Sequence, residues 1–122
     1  MIADDNLKIL PKYEEYIVYV NKILLLCPKT SRLNICDELK KSMYQTLYQV
    51  YRLIFVDKKY KLDICNELDA LFAYQRAVVR SLYELRYIDV KKKMNCIKML
   101  GELGRMLGGY IKSIGVNYAK KI

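Results

Sequence analysis

The sequence predicts an all-α protein: an antiparallel, up-down four-helix bundle that occupies residues 1–122 as a single domain. Gly and Pro, which end helices and build turns, number only five and two in 122 residues. Apolar residues recur at steps of three and four along four segments, which is the period of amphipathic helices. The connections between these segments are short, and short connections make consecutive helices antiparallel.

The first two helices are predicted over residues 11–27 and 32–56. Pro11 suits the first turn of a helix, where its missing N–H is not needed. Pro28 cannot continue the helix that precedes it, so the first helix is expected to end there. Ser31, in the connection, is a suitable N-cap for the second helix.

The third and fourth helices are predicted over residues 60–87 and 90–116. The polar residues 57–59 form the connection that precedes the third helix. Asp89 is predicted to cap the fourth helix, because its carboxylate can accept a hydrogen bond from a free backbone N–H. No repeat or long linker interrupts the four segments.

The composition excludes most catalytic chemistry. The chain contains no His, which removes most metalloenzymes and every nucleophile system that uses an imidazole base. The four Cys residues are separated by 9, 29 and 31 residues, a spacing that matches no zinc or redox motif. Neighbouring carboxylates such as Glu14 and Glu15 point to different sides of a helix and form no acid–base pair. We therefore expect buried thiols, no metal, no cofactor and no enzymatic activity.

Neither a membrane span nor a leader is expected. No apolar run exceeds five residues, whereas a spanning helix needs about 20. The first residues, Met1 to Asp5, lack the basic and apolar stretches of a signal peptide. The expected location is therefore the cytoplasm.

Positive charge is concentrated in the second half of the chain. The net charge is +9, from 22 basic and 13 acidic residues. Residues 1–69 hold 11 basic and 10 acidic side chains, whereas residues 70–122 hold 11 basic and 3 acidic ones. An excess confined to two helices predicts a basic face.

One predicted row of this face combines arginines with aromatic rings. Arg76, Arg80, Tyr83 and Tyr87 follow one another at steps of four, three and four, so they share one side of a helix. Arg76 is two residues from Val78, a predicted core residue, which corresponds to about 200° around the helix. The row is therefore expected to point away from the core.

A second predicted row consists of cations alone. Lys91, Lys98, Arg105 and Lys112 recur every seven residues, and a heptad drifts only about 20° on an ideal helix. The row is expected opposite Leu107. Together the two rows suit a nucleic-acid backbone whose exposed bases stack on Tyr or Arg.

Other readings of the charge remain open at this point. A solvated helix face, an anionic membrane surface or an acidic protein partner would each explain a basic surface. The run Lys91, Lys92 and Lys93 opposes the macrodipole at the start of a helix, and a bound phosphate would compensate it.

Two further rows point to close contacts. Gly101, Gly104 and Gly108 share one helix side, and glycine lets another backbone approach closely. The partner is another helix of the bundle or another subunit, unless the helix is simply frayed there. On the second helix, Tyr44, Tyr48 and Tyr51 form a stripe that lies either at the edge of the core with hydroxyls in water or at a subunit interface.

The fourth helix resembles a known family. The segment from Leu100 to Ile111 contains Gly104-Arg105, then Leu107-Gly108, then an aromatic residue and an aliphatic one. It is similar to the last helix of the accessory variability determinant (Avd) proteins of diversity-generating retroelements. Upstream, Arg76 and Arg80 stand in the register of the two arginines in that family's third helix.

The resemblance implies a fold, partners and a role. Avd proteins are four-helix bundles that assemble into ring-like pentamers with a basic surface. They bind the retroelement reverse transcriptase and its structured template RNA, or DNA, and support mutagenic cDNA synthesis without being enzymes. Arg76, Arg80 and Arg105 match the family pattern. The alternative is an adaptor of the wider four-helix-bundle group encoded in ribosomal-RNA intervening sequences, with an acidic protein or another polyanion as its partner.

Overall fold

The computed structural model describes residues 8–31 and 34–121, and every regular element in those ranges is helical. Four long helices follow one another: α1 (Ile9–Leu24), α2 (Ile35–Phe55), α3 (Lys58–Glu84) and α4 (Val90–Lys121). A single 3-10 turn, Lys29–Ser31, lies between α1 and α2. These elements confirm the all-α class and the four helices predicted from the apolar period.

The ends of α1 and α2 differ from the prediction. Helix α1 ends at Leu24 because the next backbone N–H groups, including that of Cys27, bond three residues back and tighten the chain. The residue that precedes Pro28 is also disfavoured in helical conformation. The N-cap of α2 is Asn34, whose side-chain oxygen accepts from the Ile35 N–H at 2.6 Å, whereas Ser31 belongs to the 3-10 turn. Residues 32 and 33, where the second helix was predicted to begin, lie outside the described residues.

The helices pack in a square. Helix α1 lies beside α2 and α4, and α3 lies beside α2 and α4. Between α2 and α3, the Tyr74 hydroxyl donates to Glu38 at 2.6 Å, and Lys61 donates to the Leu53 carbonyl at 2.6 Å. The largest fully buried apolar side chains come from all four helices: Tyr13, Tyr16, Leu39, Met43, Leu53, Leu68, Phe72, Leu82, Leu100, Leu103 and Leu107.

A hydrogen-bonded cluster crosses the centre of this apolar core. The side-chain amide of Gln75 donates to the Tyr13 hydroxyl at 3.2 Å and to the Thr46 hydroxyl at 3.0 Å. Tyr13 in turn donates to the Met43 carbonyl at 2.6 Å, and burial raises the pKa of its phenol. Directional bonds therefore join α1, α2 and α3 in one register.

Candidate nucleic-acid interface

The heptad row of cations lies on the outer side of α4. Lys91, Lys98, Arg105 and Lys112 are all exposed, whereas Leu107 is buried on the opposite side of the helix. At 1.5 Å per residue the row extends over about 32 Å. One carboxylate shares this side: Glu102 is half-buried and lies four residues after Lys98 and three before Arg105.

The arginines of α3 lie closer to the core than predicted. Arg76 is half-buried, and it stands four residues after Phe72 and three before Val79, both fully buried. It therefore borders the core. The prediction that it points away was wrong because Val78, its reference, is itself at the margin of the core with 8% exposure. Arg80, one turn further, is exposed.

The two tyrosines predicted to extend this row do not form a stacking platform. Tyr83 is half-buried against the core, and the Lys93 ammonium lies 4.1 Å from its ring centroid. Tyr87 lies outside α3 altogether, packs against the core and accepts a hydrogen bond from the Cys27 thiol at its carbonyl oxygen, with Sγ and O 3.6 Å apart. A continuous row through Tyr87 was therefore wrong, because α3 ends at Glu84 instead of continuing to residue 87.

The reason for the early end of α3 is a left-handed residue. Arg86 has φ of 64°. Its N–H donates to the Tyr83 carbonyl at 2.8 Å, and the Tyr87 N–H donates to the Leu82 carbonyl at 2.9 Å. This pair of bonds is the Schellman motif, which usually contains Gly at the left-handed position. Because no Gly marks the end of the helix, the sequence did not predict this early end. The exposed Arg86 was therefore absent from the predicted site residues.

The start of α4 is already neutralised by a carboxylate. Asp89 accepts a hydrogen bond from the Lys92 backbone N–H at 2.8 Å and from the Lys92 ammonium at 2.9 Å. The backbone bond, followed by the side-chain bond, lowers the pKa of Asp89. The predicted cap is confirmed. The helix end and Lys92 therefore have a partner within the chain and do not depend on a phosphate.

The glycine row of α4 has open space beside it. A Cβ added to Gly104 or Gly108 would meet no described atom within 4 Å, and one added to Gly101 would meet only the Arg105 guanidinium, at 3.8 Å. Close packing of these glycines within the bundle was therefore a wrong expectation as far as the described residues go. Contact with a partner outside the chain stays a prediction.

The open strip lies on the side of α4 that faces α3. Gly104 is eleven residues, or about three turns, from Lys93, and Lys93 reaches across to Tyr83 of α3. The strip of accessible backbone is thus bordered by the arginines of α3 and by the outer row of α4. We call these six cations the basic edge: Arg76, Arg80, Lys91, Lys98, Arg105 and Lys112.

The described cysteines and carboxylates do not gather into a metal-binding cluster. The part of the chain that the structure describes contains no cluster of three Cys, Asp or Glu residues that could hold a metal ion. All four cysteines are buried, and burial raises the pKa of Cys65 to about 11 and that of Cys96 to about 12. Over the same described ranges, no helix combines the length and the apolar character that crossing a membrane requires.

The model of a family described as bAvd-like matches residues 7–114, which is most of the chain. The match includes α1, α2 and α3, α4 as far as residue 114, and every residue of the basic edge. It confirms the resemblance that the last two helices suggested. No curated protein and no solved structure matched the chain.

Proposed function

Since the chain belongs to the bAvd-like family, we propose that it is a non-catalytic accessory subunit of a retroelement reverse transcriptase in the cytoplasm. Its basic edge binds the structured template RNA, or the DNA copied from it, and another surface meets the polymerase. Its helices run antiparallel in up-down order, and the chain assembles into a ring-like homopentamer, as the family resemblance implies.

One observation carries the RNA-binding part of this proposal: the six cations of the basic edge lie along two adjacent helices. Neighbouring cations of the outer α4 row are about 10 Å apart along the helix. Phosphates of one duplex strand follow one another at about 3.4 Å along the axis. The row therefore places a positive charge about every 10 Å over about 32 Å, so it can contact several phosphates of one nucleic acid.

Arg76 and Arg80 add a second line of charge, and the glycine strip between the lines adds no side chains. A backbone of phosphates can approach such a strip closely, because glycine carries no Cβ. The partial burial of Arg76 restricts its side chain, so less entropy is lost when it binds.

The test is charge reversal in α3. Arg76→Glu with Arg80→Glu should weaken RNA binding at least tenfold at physiological salt, because two phosphate contacts become repulsions. The slope of log K against log salt should also flatten by about 1.4–1.8, since each neutralised phosphate contributes about 0.7–0.9. Fluorescence anisotropy with labelled RNA over a salt series measures both quantities.

A matched variant separates position from net charge. Lys29→Glu with Lys58→Glu makes the same change of charge at exposed positions outside the basic edge, and it should retain most of the affinity. If the arginine variant bound RNA like the parent, with unchanged slope and helicity, the basic edge would not be the site. If the parent bound no RNA but captured an acidic protein after nuclease digestion, the adaptor function would replace this one.

A further inference from the structure

The outer side of α2 presents four exposed aromatic residues in one line. We call Tyr44, Tyr48, Tyr51 and Phe55 the aromatic row; their exposures are 48%, 64%, 42% and 63%. Their spacing of four, three and four residues keeps them on one side of the helix. This side faces away from the core, because buried Val50 and Leu53 lie on the opposite one.

The row is large enough to matter for association. At about 200 Å² per aromatic side chain, these exposed fractions amount to about 430 Å² of accessible ring surface. That is about half of the roughly 800 Å² that each partner contributes to a standard stable interface. An apolar patch of about 300–600 Å² is the largest that a typical soluble monomer exposes, and such a patch is often functional.

A second apolar line lies on the outer side of the neighbouring helix α1. Pro11, Val18 and Leu25 recur every seven residues, and Val18 and Leu25 are 54% and 66% exposed. We call these three residues the α1 row. A shallow groove of about 600 Å³ lies along Pro11 and Val18, and Glu14, Glu15 and Lys22 are among the residues that line it. The α1 row spans about 21 Å and the aromatic row about 17 Å.

The charge beside the aromatic row is opposite in sign to the charges beside the first part of the α1 row, whereas exposed Lys22 lies between Val18 and Leu25. Arg52 lies beside the aromatic row and bonds a neutral amide, that of Gln49, at 3.2 Å, so that contact does not balance its charge. Two exposed carboxylates, Glu14 and Glu15, lie beside the α1 row, and Lys12 reaches the second at 3.6 Å. If the aromatic row of one copy packs antiparallel to the α1 row of another copy, Arg52 of the first lies near the Glu14 and Glu15 carboxylates of the second.

We propose that the aromatic row of one copy docks onto the α1 row of the next copy, and that this is the contact by which the chain assembles. The inference deepens the assembly stated under the proposed function and rests on it. Both rows belong to residues 1–69, whose net charge is only +1, so copies can approach there with little repulsion. The basic edge, on α3 and α4, stays uncovered.

The contact joins two different surfaces, so it is head-to-tail. The outward directions of adjacent helices in a square bundle differ by about 90°. A head-to-tail contact between surfaces at that angle turns each copy against the last and closes into a small ring. A two-fold contact of the aromatic row with itself would instead stop at a dimer.

Two variants, each with one row removed, test this arrangement. Tyr48→Ser with Phe55→Ser removes the aromatic row, and Val18→Ser with Leu25→Ser removes the α1 row. All four side chains are exposed, so the fold should survive, which circular dichroism verifies. Light scattering after size exclusion should give 14.4 kDa for each variant alone, and a two-chain particle for their equimolar mixture, since one intact row of each kind remains.

The control removes apolar surface elsewhere. Val90→Ser with Met94→Ser truncates two α4 residues that are 53% and 56% exposed, and it should keep the mass of the parent. A parent mass in either row variant, a mixture that stays at 14.4 kDa, or a monomeric parent would each overturn the inference. RNA anisotropy on the same samples tests the basic edge separately, because binding by the monomeric variants upholds that function whatever the masses show.

Discussion

Replacing Arg86 by Gly should stabilise the protein. With φ of 64°, Arg86 adopts the left-handed conformation, which costs a residue with a Cβ about 1–2 kcal/mol. Gly avoids this cost but loses about 0.5–1 kcal/mol more backbone entropy on folding. Both hydrogen bonds of the motif are made by backbone atoms, so they persist. The expected net gain in the free energy of unfolding is about 0.5–1 kcal/mol.

Urea unfolding followed by circular dichroism measures this gain, at one fixed protein concentration because assembly also contributes to stability. The midpoint should rise while the slope m stays constant, since the surface exposed on unfolding is unchanged. Arg86→Ala is the control: it removes the same guanidinium but keeps the Cβ and the strain. If Arg86→Gly were no more stable than Arg86→Ala, the argument from left-handed strain would be refuted.

The same pair of variants shows whether Arg86 contacts RNA. Both lose the exposed guanidinium, so both should lose the same fraction of RNA affinity if the basic edge extends to the end of α3. Equal affinity in the parent and both variants would limit the edge to its six cations. A strained residue retained for its charge would explain why the chain lacks Gly here.

Three further outcomes are expected. Gly104→Ala should raise the free energy of unfolding by up to about 1 kcal/mol, because its new Cβ meets no described atom within 4 Å; a loss of stability in urea unfolding would show a close contact instead. Phe72→Ala, in the fully buried core, should cost about 3–5 kcal/mol in the same assay. Burial raises the pKa of the Cys96 thiol from its ordinary value of 9.0 to about 12. Between these pH values the unfolded state therefore holds fewer protons than the folded state. The free energy of unfolding then falls as pH rises, by up to about 1.4 kcal/mol per pH unit. Unfolding curves at pH 9 and 10 should show a shallower fall for Cys96→Ala, and an equal fall would contradict the assignment.

The four helices could be predicted because apolar residues recur at the helical period along each segment, and because Gly and Pro are scarce. Asp89 was recognised as a cap because a carboxylate before an amphipathic segment has a local partner, the free N–H of Lys92. The outer row of α4 was placed correctly because the helix runs without interruption from Lys91 to Lys112, so a seven-residue spacing keeps one side.

Other structural features depend on the neighbouring helix that a residue faces, and the spacing of residues in the sequence does not reveal that neighbour. Arg76 was misplaced because its angle was measured from a residue at the margin of the core. The end of α3 was missed because Arg86 takes a conformation normally left to Gly. The glycine spacing indicated a side of α4 correctly but not its surroundings, since the open space beside it depends on where α3 lies.

The one-sided charge of the bundle has a kinetic consequence. A molecule with a net charge of +1 on residues 1–69 and +8 on residues 70–122 carries a large electric dipole, and the field of a polyanion rotates it before contact. If the basic edge binds nucleic acid as proposed, diffusional encounters begin with that edge already turned toward the polyanion, which raises the association rate constant. Added salt should therefore slow association steeply, and the dissociation rate should depend more on the short-range contacts of Arg76 and Arg80.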